Sequence, residues 1–314
     1  MDTTSDISGQ ALPAGGTSQS PRGVAARLVH QWLPVVVVLL AVLAAWYVAA
    51  WGLNAQGAIE RVLDDEAGYT QMELLQATMN MERPLMPAPH QVALDFYESL
   101  TEWPLDSPRN LIYHVVVTGE STLLGFAMGT ALGLLLSVLI VHSRTLDKAL
   151  LPWIVASQTV PVLAIAPIVL VLLGSLGFSG TAPKAVIAMY LCFFPVTVAM
   201  VQGLRSPQKI ETEMLHTYAA SRWQALWLLR LPSALPFLFP ALRVGVAAGL
   251  VGAMVAELPT GAQAGLGARL LTGSYYGQTT QIWSALVMSA LLGLALTGIV
   301  AGVERLVLRS RGGA

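Results

Sequence analysis

The feature that most constrains this chain is a series of long apolar segments almost free of charged side chains. The first runs for 22 residues, from Trp32 to Leu53, without Asp, Glu, Lys or Arg. As a helix it would be roughly 33 Å long, enough to cross a hydrocarbon core about 30 Å thick. Charged residues make up only 11% of the chain, whereas soluble domains carry about 25%. We therefore predict an all-α membrane protein with six transmembrane helices, the other five spanning Ser121–Val141, Leu150–Leu176, Ala185–Leu204, Leu235–Glu257 and Ile282–Leu308.

The basic side chains predict the orientation of these helices, because cytoplasmic segments are enriched in Lys and Arg. With both termini inside, eleven basic residues lie on the inner side and five on the outer side. Both termini are therefore predicted to be cytoplasmic. The chain then divides into a disordered cytoplasmic tail (1–31), a first transmembrane helix (32–53), an acidic outer segment (54–110), a transmembrane core (111–308) and a second tail (309–314).

The outer segment, 54–110, carries ten of the eighteen carboxylates. We interpret it as a solvated connector with some helix around Met72–Met81, or alternatively as a contact surface for an external partner. Its methionines lack the Cys and His neighbours expected of a soft-metal site. A second outer stretch, Pro259–Arg269 continuing through Tyr275-Tyr276, is rich in glycine. It is interpreted either as part of an external gate or as a flexible connector with a short helix.

Small residues recur on two of the predicted spans at the four-residue spacing that lets membrane helices approach closely. We predict that they pack helices together either within one subunit or at a dimer interface. These residues are Gly125, Gly129, Gly133, Gly245 and Gly249.

Polar residues inside spans are few, which makes each a candidate for lining a pathway. The candidates are Gln158 and Thr159 in the third span, with Arg243 and Glu257 in the fifth; Glu120 is predicted to begin the second span. For Arg243 a second interpretation remains, in which the long side chain reaches back to the membrane surface.

The connection between the fourth and fifth spans, 205–234, is the polar segment with the clearest local structure. Ser206-Pro207 has the pattern of a helix start, and Ser221 with Gln224 has the spacing of a capping box. Pro232 is predicted to end the second helix at Leu231. Two short helices with an apolar stripe suit insertion into a groove of another protein, although Trp223 and Trp227 are equally suited to anchoring in the lipid headgroup layer.

This connection resembles the EAA loop of binding-protein-dependent ABC transporter permeases. The shared residues are Glu213 and, after the intervening turn, Leu231-Pro232, while Ala219 stands where the family has glycine. The resemblance extends from about residue 86 to the C-terminus and is closest to the nitrate/sulfonate/taurine branch. It implies a non-catalytic permease subunit in the bacterial inner membrane, working as a homodimer with cytoplasmic ATPase subunits and a periplasmic solute-binding protein. It implies that Glu213 and the turn around Ala219 are the contacts for ATPase coupling. We predict in addition that Tyr218, Trp223 and Trp227 supply the apolar anchor in the ATPase groove, and the coupling site is completed by His216, Ser221, Leu231 and Pro232.

Motifs for other functions are missing from the sequence. No P-loop occurs, so ATP is expected to act through the partner ATPase, and we expect no metal or cofactor on this chain. The net charge of −1 gives no general attraction to nucleic acid. Two alternatives to an ATP-driven importer remain open: a secondary transporter or channel driven by a gradient, and a membrane scaffold without transport activity. The expected substrate is a small polar solute: nitrate, a sulfonate, bicarbonate or a pyrimidine-type precursor.

Overall fold

The computed structural model describes residues 21–61, 68–259 and 264–310, and all regular secondary structure in those ranges is helical. The chain forms two compact units, Met1–Ala49 and Ala50–Ala314, each considered by itself. The described ranges contain helices α1 (Pro21–Arg61), α2 (Gln71–Met79), α3 (Pro89–Thr101), α4 (Leu111–His142), α5 (Arg144–Ser157), α6 (Val162–Ser175), α7 (Thr181–Leu204), α8 (Lys209–Thr217), α9 (Arg222–Ala225), α10 (Leu231–Glu257), α11 (Leu266–Tyr275) and α12 (Thr279–Ser310), with a π-helical turn, Leu226–Arg230, between α9 and α10.

Five stretches of helix within the described ranges are long and apolar enough to cross a membrane. They are Leu33–Glu60, Leu111–His142, Thr181–Leu204, Arg222–Glu257 and Thr279–Arg309. The bent pair α5 and α6 makes a sixth if it is counted as one span. The prediction of an all-helical membrane protein is therefore confirmed, with five or six spans.

The third predicted span, Leu150–Leu176, consists of two helices rather than one. Helices α5 and α6 meet at an angle of 102°. The break falls at 158–161, where Pro161 has no N–H to donate and disfavours helical geometry at Val160. A broken span or a re-entrant hairpin therefore replaces one straight helix.

Two predicted helix boundaries are also corrected. Helix α1 begins at Pro21, so residues 21–31 are helical rather than a disordered tail, and residues 1–20 lie outside the described ranges. Helix α4 begins at Leu111 rather than near Ser121, which places Glu120 well inside the helix. The polar residues that obscured this start are satisfied locally: Asn110 accepts the N–H of Ile112 as N-cap, and Thr122 donates to the carbonyl of Thr118. The final residues, 311–314, are outside the described part of the chain.

Helix α7 packs against both α4 and α10 and forms the centre of the second unit. The glycines of α4 make this contact possible: a Cβ at Gly125 would lie 2.4 Å from Ala188 Cβ, one at Gly129 2.8 Å from Cys192 Cβ, and one at Gly133 2.9 Å from Val196 Cβ. On the other side of α7, Gly245 and Gly249 of α10 approach Cys192. The glycine ridges therefore pack within one subunit, and Cys192 is fully buried between them.

The 54–110 segment is more ordered than a simple connector. It contains α2, close to the helix expected at Met72–Met81, and α3. The side chain of Asn54, only 2% exposed, holds it in place. Its Oδ1 accepts the N–H groups of Leu85 and Met86 at 2.7 and 3.2 Å, and its Nδ2 donates to the carbonyl of Met86 at 2.7 Å.

Candidate functional site

The connection between α7 and α10 begins with helix α8, which starts two residues later than predicted. Gln208 rather than Ser206 is the N-cap, and its backbone N–H donates to the carboxylate of Glu211 at 2.8 Å. The hydroxyl of Ser206 instead donates to the carbonyl of Gly203. Glu213 lies on the exposed surface of α8, where it forms an ion pair with Lys209 at 3.5 Å.

Helix α8 ends in a tight turn at Ala219. With a φ of 51°, Ala219 is the only non-glycine residue in the described ranges with a positive φ. Two hydrogen bonds define the turn: the N–H of Ala219 donates to the carbonyl of His216 at 3.0 Å, and the N–H of Ala220 donates to that of Leu215 at 3.1 Å. This is the left-handed position at which helices usually place glycine. Ala219 adopts the geometry that glycine would provide, and this conformation is less favourable for alanine than for glycine.

A second helix starts directly after this turn, at the capping box of Ser221 and Gln224. The N–H of Gln224 donates to the Ser221 hydroxyl at 3.2 Å, and the N–H of Ser221 donates to the Gln224 side chain at 2.7 Å.

The prediction that Pro232 ends this helix is wrong. The chain passes through the π-helical turn into α10, with Pro232 in the first turn of α10. The wider turn, in which Leu231 donates to the carbonyl of Leu226, lets the chain continue into α10 without a break.

Aromatic side chains dominate the exposed surface of the connection. Tyr218 is 78% exposed and Trp227 68% exposed. Trp223 is also exposed, but its indole stacks on the ring of His142 at the end of α4, with centroids 5.4 Å apart. Of the remaining residues implied for coupling, His216 faces a cavity between the connection and the α4–α5 corner, while Leu231 and Pro232 begin α10.

The four candidate pathway residues do not form one site. Gln158 and Thr159 lie at the α5–α6 break; Thr159 donates to the carbonyl of Ala156, while Nε2 of Gln158 is buried without a hydrogen-bond partner. Arg243 pairs with Glu304 of α12. This pair does not decide between the two interpretations of Arg243, and both stay predictions.

Glu257 belongs to a buried polar cluster that the sequence did not reveal. Its carboxylate is completely buried at the end of α10, and it accepts hydrogen bonds from Thr118 Oγ1 at 3.0 Å and from the N–H of Gly267 at 2.8 Å. The ammonium of Lys184 lies 3.4 Å away and also donates to the carbonyl of Ala264 at 3.1 Å. One available signal was that Lys184 and Glu257 lie at the start of one span and the end of another, hence at the same end of the bundle.

This cluster fastens the segment 264–267 to helix α4. Thr118 Oγ1 accepts the N–H of Leu266 at 2.8 Å, and His114 Nδ1 accepts that of Gly265 at 3.0 Å. Because Nδ1 accepts this N–H, the ring proton lies on Nε2, which donates to the carbonyl of Pro108 at 2.8 Å. Gly265 has a φ of 124°, and a Cβ there would lie 2.2 Å from the Glu257 carboxylate. Only glycine fits at this position. Residues 260–263 of the predicted outer stretch lie outside the described ranges.

The model of the family of binding-protein-dependent transport system inner membrane components matches residues 129–310. The chain belongs to this family. The match covers α7, the connection and α10, together with the C-terminal part of α4 and all of α12. The choice left open between an ABC permease and a gradient-driven transporter is thereby decided for the ABC permease, and the predicted resemblance is confirmed.

Three curated relatives illustrate the range of the family. The permease is 33% identical over 225 residues to the riboflavin transport system permease protein RibX of Chloroflexus aurantiacus, covering 72% of this chain and 80% of the relative. It is 34% identical over 196 residues to the formylaminopyrimidine transport permease protein ThiX of Halalkalibacterium halodurans, covering 62% of this chain and 72% of the relative. It is 26% identical over 227 residues to the putative aliphatic sulfonates transport permease protein SsuC of Bacillus subtilis, covering 72% of this chain and 78% of the relative. Such permeases are non-catalytic subunits of ABC transporters, and this chain is therefore not an enzyme.

Proposed function

We propose that this permease is the membrane-spanning subunit of an ABC importer for a small polar solute. A solute-binding protein delivers the substrate from outside, and a separate ATPase docks on the α7–α10 connection. ATP binds to that ATPase and not to this chain, whose sequence contains no P-loop. Helices α4 to α12 form the transport core, and the 54–110 segment lies on the outer side.

The observation that carries this proposal is the surface of the connection. Two capped helices joined at Ala219 hold Tyr218 and Trp227 exposed, and large aromatic side chains are frequent anchors at the centre of protein interfaces. Capping fixes the backbone before a partner binds, so less conformational entropy is lost on docking. Glu213 lies beside this aromatic surface, where its exposed carboxylate is available to an ATPase residue.

The proposed arrangement places both termini in the cytoplasm of a bacterial inner membrane. The basic residues of the connection and of the α4–α5 corner support this, because positive charge accumulates on the cytoplasmic side. We further propose a homodimer, with the pathway between two copies. Helix α6 supports a partner there, since Leu163, Ile168 and Val171 are all more than 60% exposed, and the unpartnered amide of Gln158 lies at the break that precedes them.

We infer that the substrate is a nitrogen heterocycle rather than a sulfonate or another small anion. The riboflavin and formylaminopyrimidine permeases are 33% and 34% identical to this chain, against 26% for the aliphatic sulfonates permease and 30% for the taurine permease protein TauC of Escherichia coli. The charges within the bundle support the same choice. Lys184 is neutralised by Glu257 and Arg243 by Glu304, so neither offers a free positive charge to a sulfonate.

The coupling role is tested by co-expressing the permease with the ATPase encoded beside it. We expect Glu213→Lys to abolish co-purification of the ATPase or to uncouple ATP hydrolysis from uptake in proteoliposomes. The matched control is Glu102→Lys, which makes the same charge reversal on an exposed residue beyond α3. Normal coupled transport by Glu213→Lys would refute the assignment of the connection.

The substrate is tested with the complete transporter and its binding protein. We expect uptake of labelled riboflavin or formylaminopyrimidine and little uptake of taurine or nitrate. Exclusive uptake of taurine or nitrate would refute the heterocycle proposal while leaving the importer assignment intact.

A further inference from the structure

A cavity of about 700 Å³ lies between the α7–α10 connection and the corner where α4 meets α5. Its volume falls within the roughly 300–1,000 Å³ typical of ligand pockets. One wall comes from the end of α4 and the start of α5, and the other from α8, the Ala219 turn and α9. The cavity therefore lies behind the aromatic surface, on the side of the connection that faces the bundle.

The side chains that line this cavity are strongly basic. It contains three arginines, two histidines and three hydroxyl groups, and no Asp or Glu lines it. The arginines are Arg144, Arg222 and Arg230, and none of them forms an ion pair within the described part of the chain. Nearby Arg205, by contrast, pairs with Asp147 at 2.9 Å. Three like charges in one cavity repel one another unless an anion is bound.

The geometry suits a small anion better than a large one. Arg230 and His142 are half-buried, whereas Tyr218 and Trp227 are exposed at the outside of the connection. His142 is held in place by stacking on Trp223, and its Nδ1 lies 2.9 Å from the carbonyl of Val138. A protein docking on the aromatic surface would meet these exposed rings first. A small ligand reaches the half-buried Arg230 more easily and meets the exposed Arg144 and Arg222 on the way.

We propose that this cavity binds a phosphate group, either of a soluble phosphate compound or of an anionic phospholipid headgroup. Guanidinium groups bind phosphate through paired N–H donors, and the hydroxyls of Ser143 and Ser221, which only accept backbone N–H groups, supply further donors. A bound phosphate bridges the connection and the α4–α5 corner and so holds the connection against the bundle. Its effect on ATPase coupling rests on the proposed function, but the binding itself does not.

The test uses the purified full-length permease without any ATPase, so a failure of the proposed coupling role leaves the result unaffected. Binding of inorganic phosphate is measured by calorimetry. Lipid binding is measured by native mass spectrometry after exchange into mixed phosphatidylglycerol and phosphatidylcholine. The test variant is Arg144→Gln/Arg230→Gln, and the control is Lys148→Gln, which removes a positive charge from the same helix without lining the cavity. Arg230→Lys is a second test variant for the case that the double variant does not fold. It keeps the positive charge and removes only the paired N–H donors.

We expect the double variant to lose at least about tenfold in affinity, since it removes charged hydrogen bonds to the phosphate, while Lys148→Gln binds as the unmodified chain does. Binding of inorganic phosphate alone identifies a soluble ligand, and selective retention of phosphatidylglycerol identifies a lipid. Three results overturn the proposal: binding of both probes that is unchanged in a folded double variant, equal loss in Lys148→Gln, or no binding of either probe by the unmodified permease.

Discussion

The ammonium of Lys184 lies 3.4 Å from the carboxylate of Glu257, and both side chains are buried at one end of the α4, α7 and α10 core. Two residues separated by 73 positions in the sequence thereby join the start of α7 to the end of α10. The same carboxylate accepts the N–H of Gly267, so the pair also positions the first turn of α11. A buried ion pair of this kind depends on both partners, because each charge alone lacks solvation.

We expect Lys184→Met to destabilise the permease by about 3–5 kcal/mol, since it leaves the Glu257 carboxylate buried without its counter-ion. The double variant Lys184→Met/Glu257→Gln recovers a large part of this loss, because no unpaired charge remains. Unfolding is measured in detergent by the denaturant midpoint. Lys148→Met, on the exposed face of α5, is the control. Equal stability of Lys184→Met and the unmodified chain would contradict the structure.

We expect Gly129→Ala to destabilise the core by about 1–3 kcal/mol, as overpacked interiors do. The added Cβ would lie 2.8 Å from Cys192 Cβ and 2.9 Å from the carbonyl oxygen of Met189, so helix α4 must move away from α7. Gly119→Ala on the same helix is the control, because a Cβ there meets no atom within 4 Å. A lower melting temperature for Gly119→Ala than for Gly129→Ala would rule out this packing.

We expect Ala219→Gly to stabilise the connection by about 1 kcal/mol, because glycine adopts a positive φ without steric cost. Coupled transport is retained in this variant. Hydrogen exchange of the Ala220 amide, which donates to Leu215, reports the effect locally as slower exchange. Ala220→Gly serves as the comparison, since Ala220 is not among the residues with positive φ. Faster exchange in Ala219→Gly is the result that would count against the turn.

We expect Asn54→Leu to release the backbone at 85–86. The substitution removes the acceptor for two N–H groups and the donor to one carbonyl, each costing about 1–3 kcal/mol if it remains buried. Hydrogen exchange at Leu85 and Met86 should therefore accelerate strongly, while that of the α4 amides does not change. Gln56→Leu, two residues further along α1, removes only an exposed contact with Glu60 and is the control. Protected Leu85 and Met86 amides in Asn54→Leu would argue against this anchor.

Local chemistry was sufficient to predict much of this permease. Apolar length predicted the spans, and the Ser221–Gln224 spacing predicted a capping box that the structure contains. These features depend on residues only a few positions apart. The error at Pro232 shows the limit of such rules: Pro161 accompanies a 102° bend, whereas Pro232 is accommodated because a π-helical turn precedes it.

The partners of the buried polar groups depended on the fold. Sequence alone identified Glu257 as a polar residue at the end of a span, but Thr118 and Lys184 reach it only when α4 and α7 pack on α10. The glycine pattern likewise predicted close helix contacts without indicating which helix packs against the glycines. That helix is α7, which contacts them through Ala188, Cys192 and Val196. Spans and caps follow from neighbouring residues, because hydrophobic transfer and local hydrogen bonds act over one segment. Charge pairing and close packing join segments far apart in the chain, so the three-dimensional arrangement of the helices determines them.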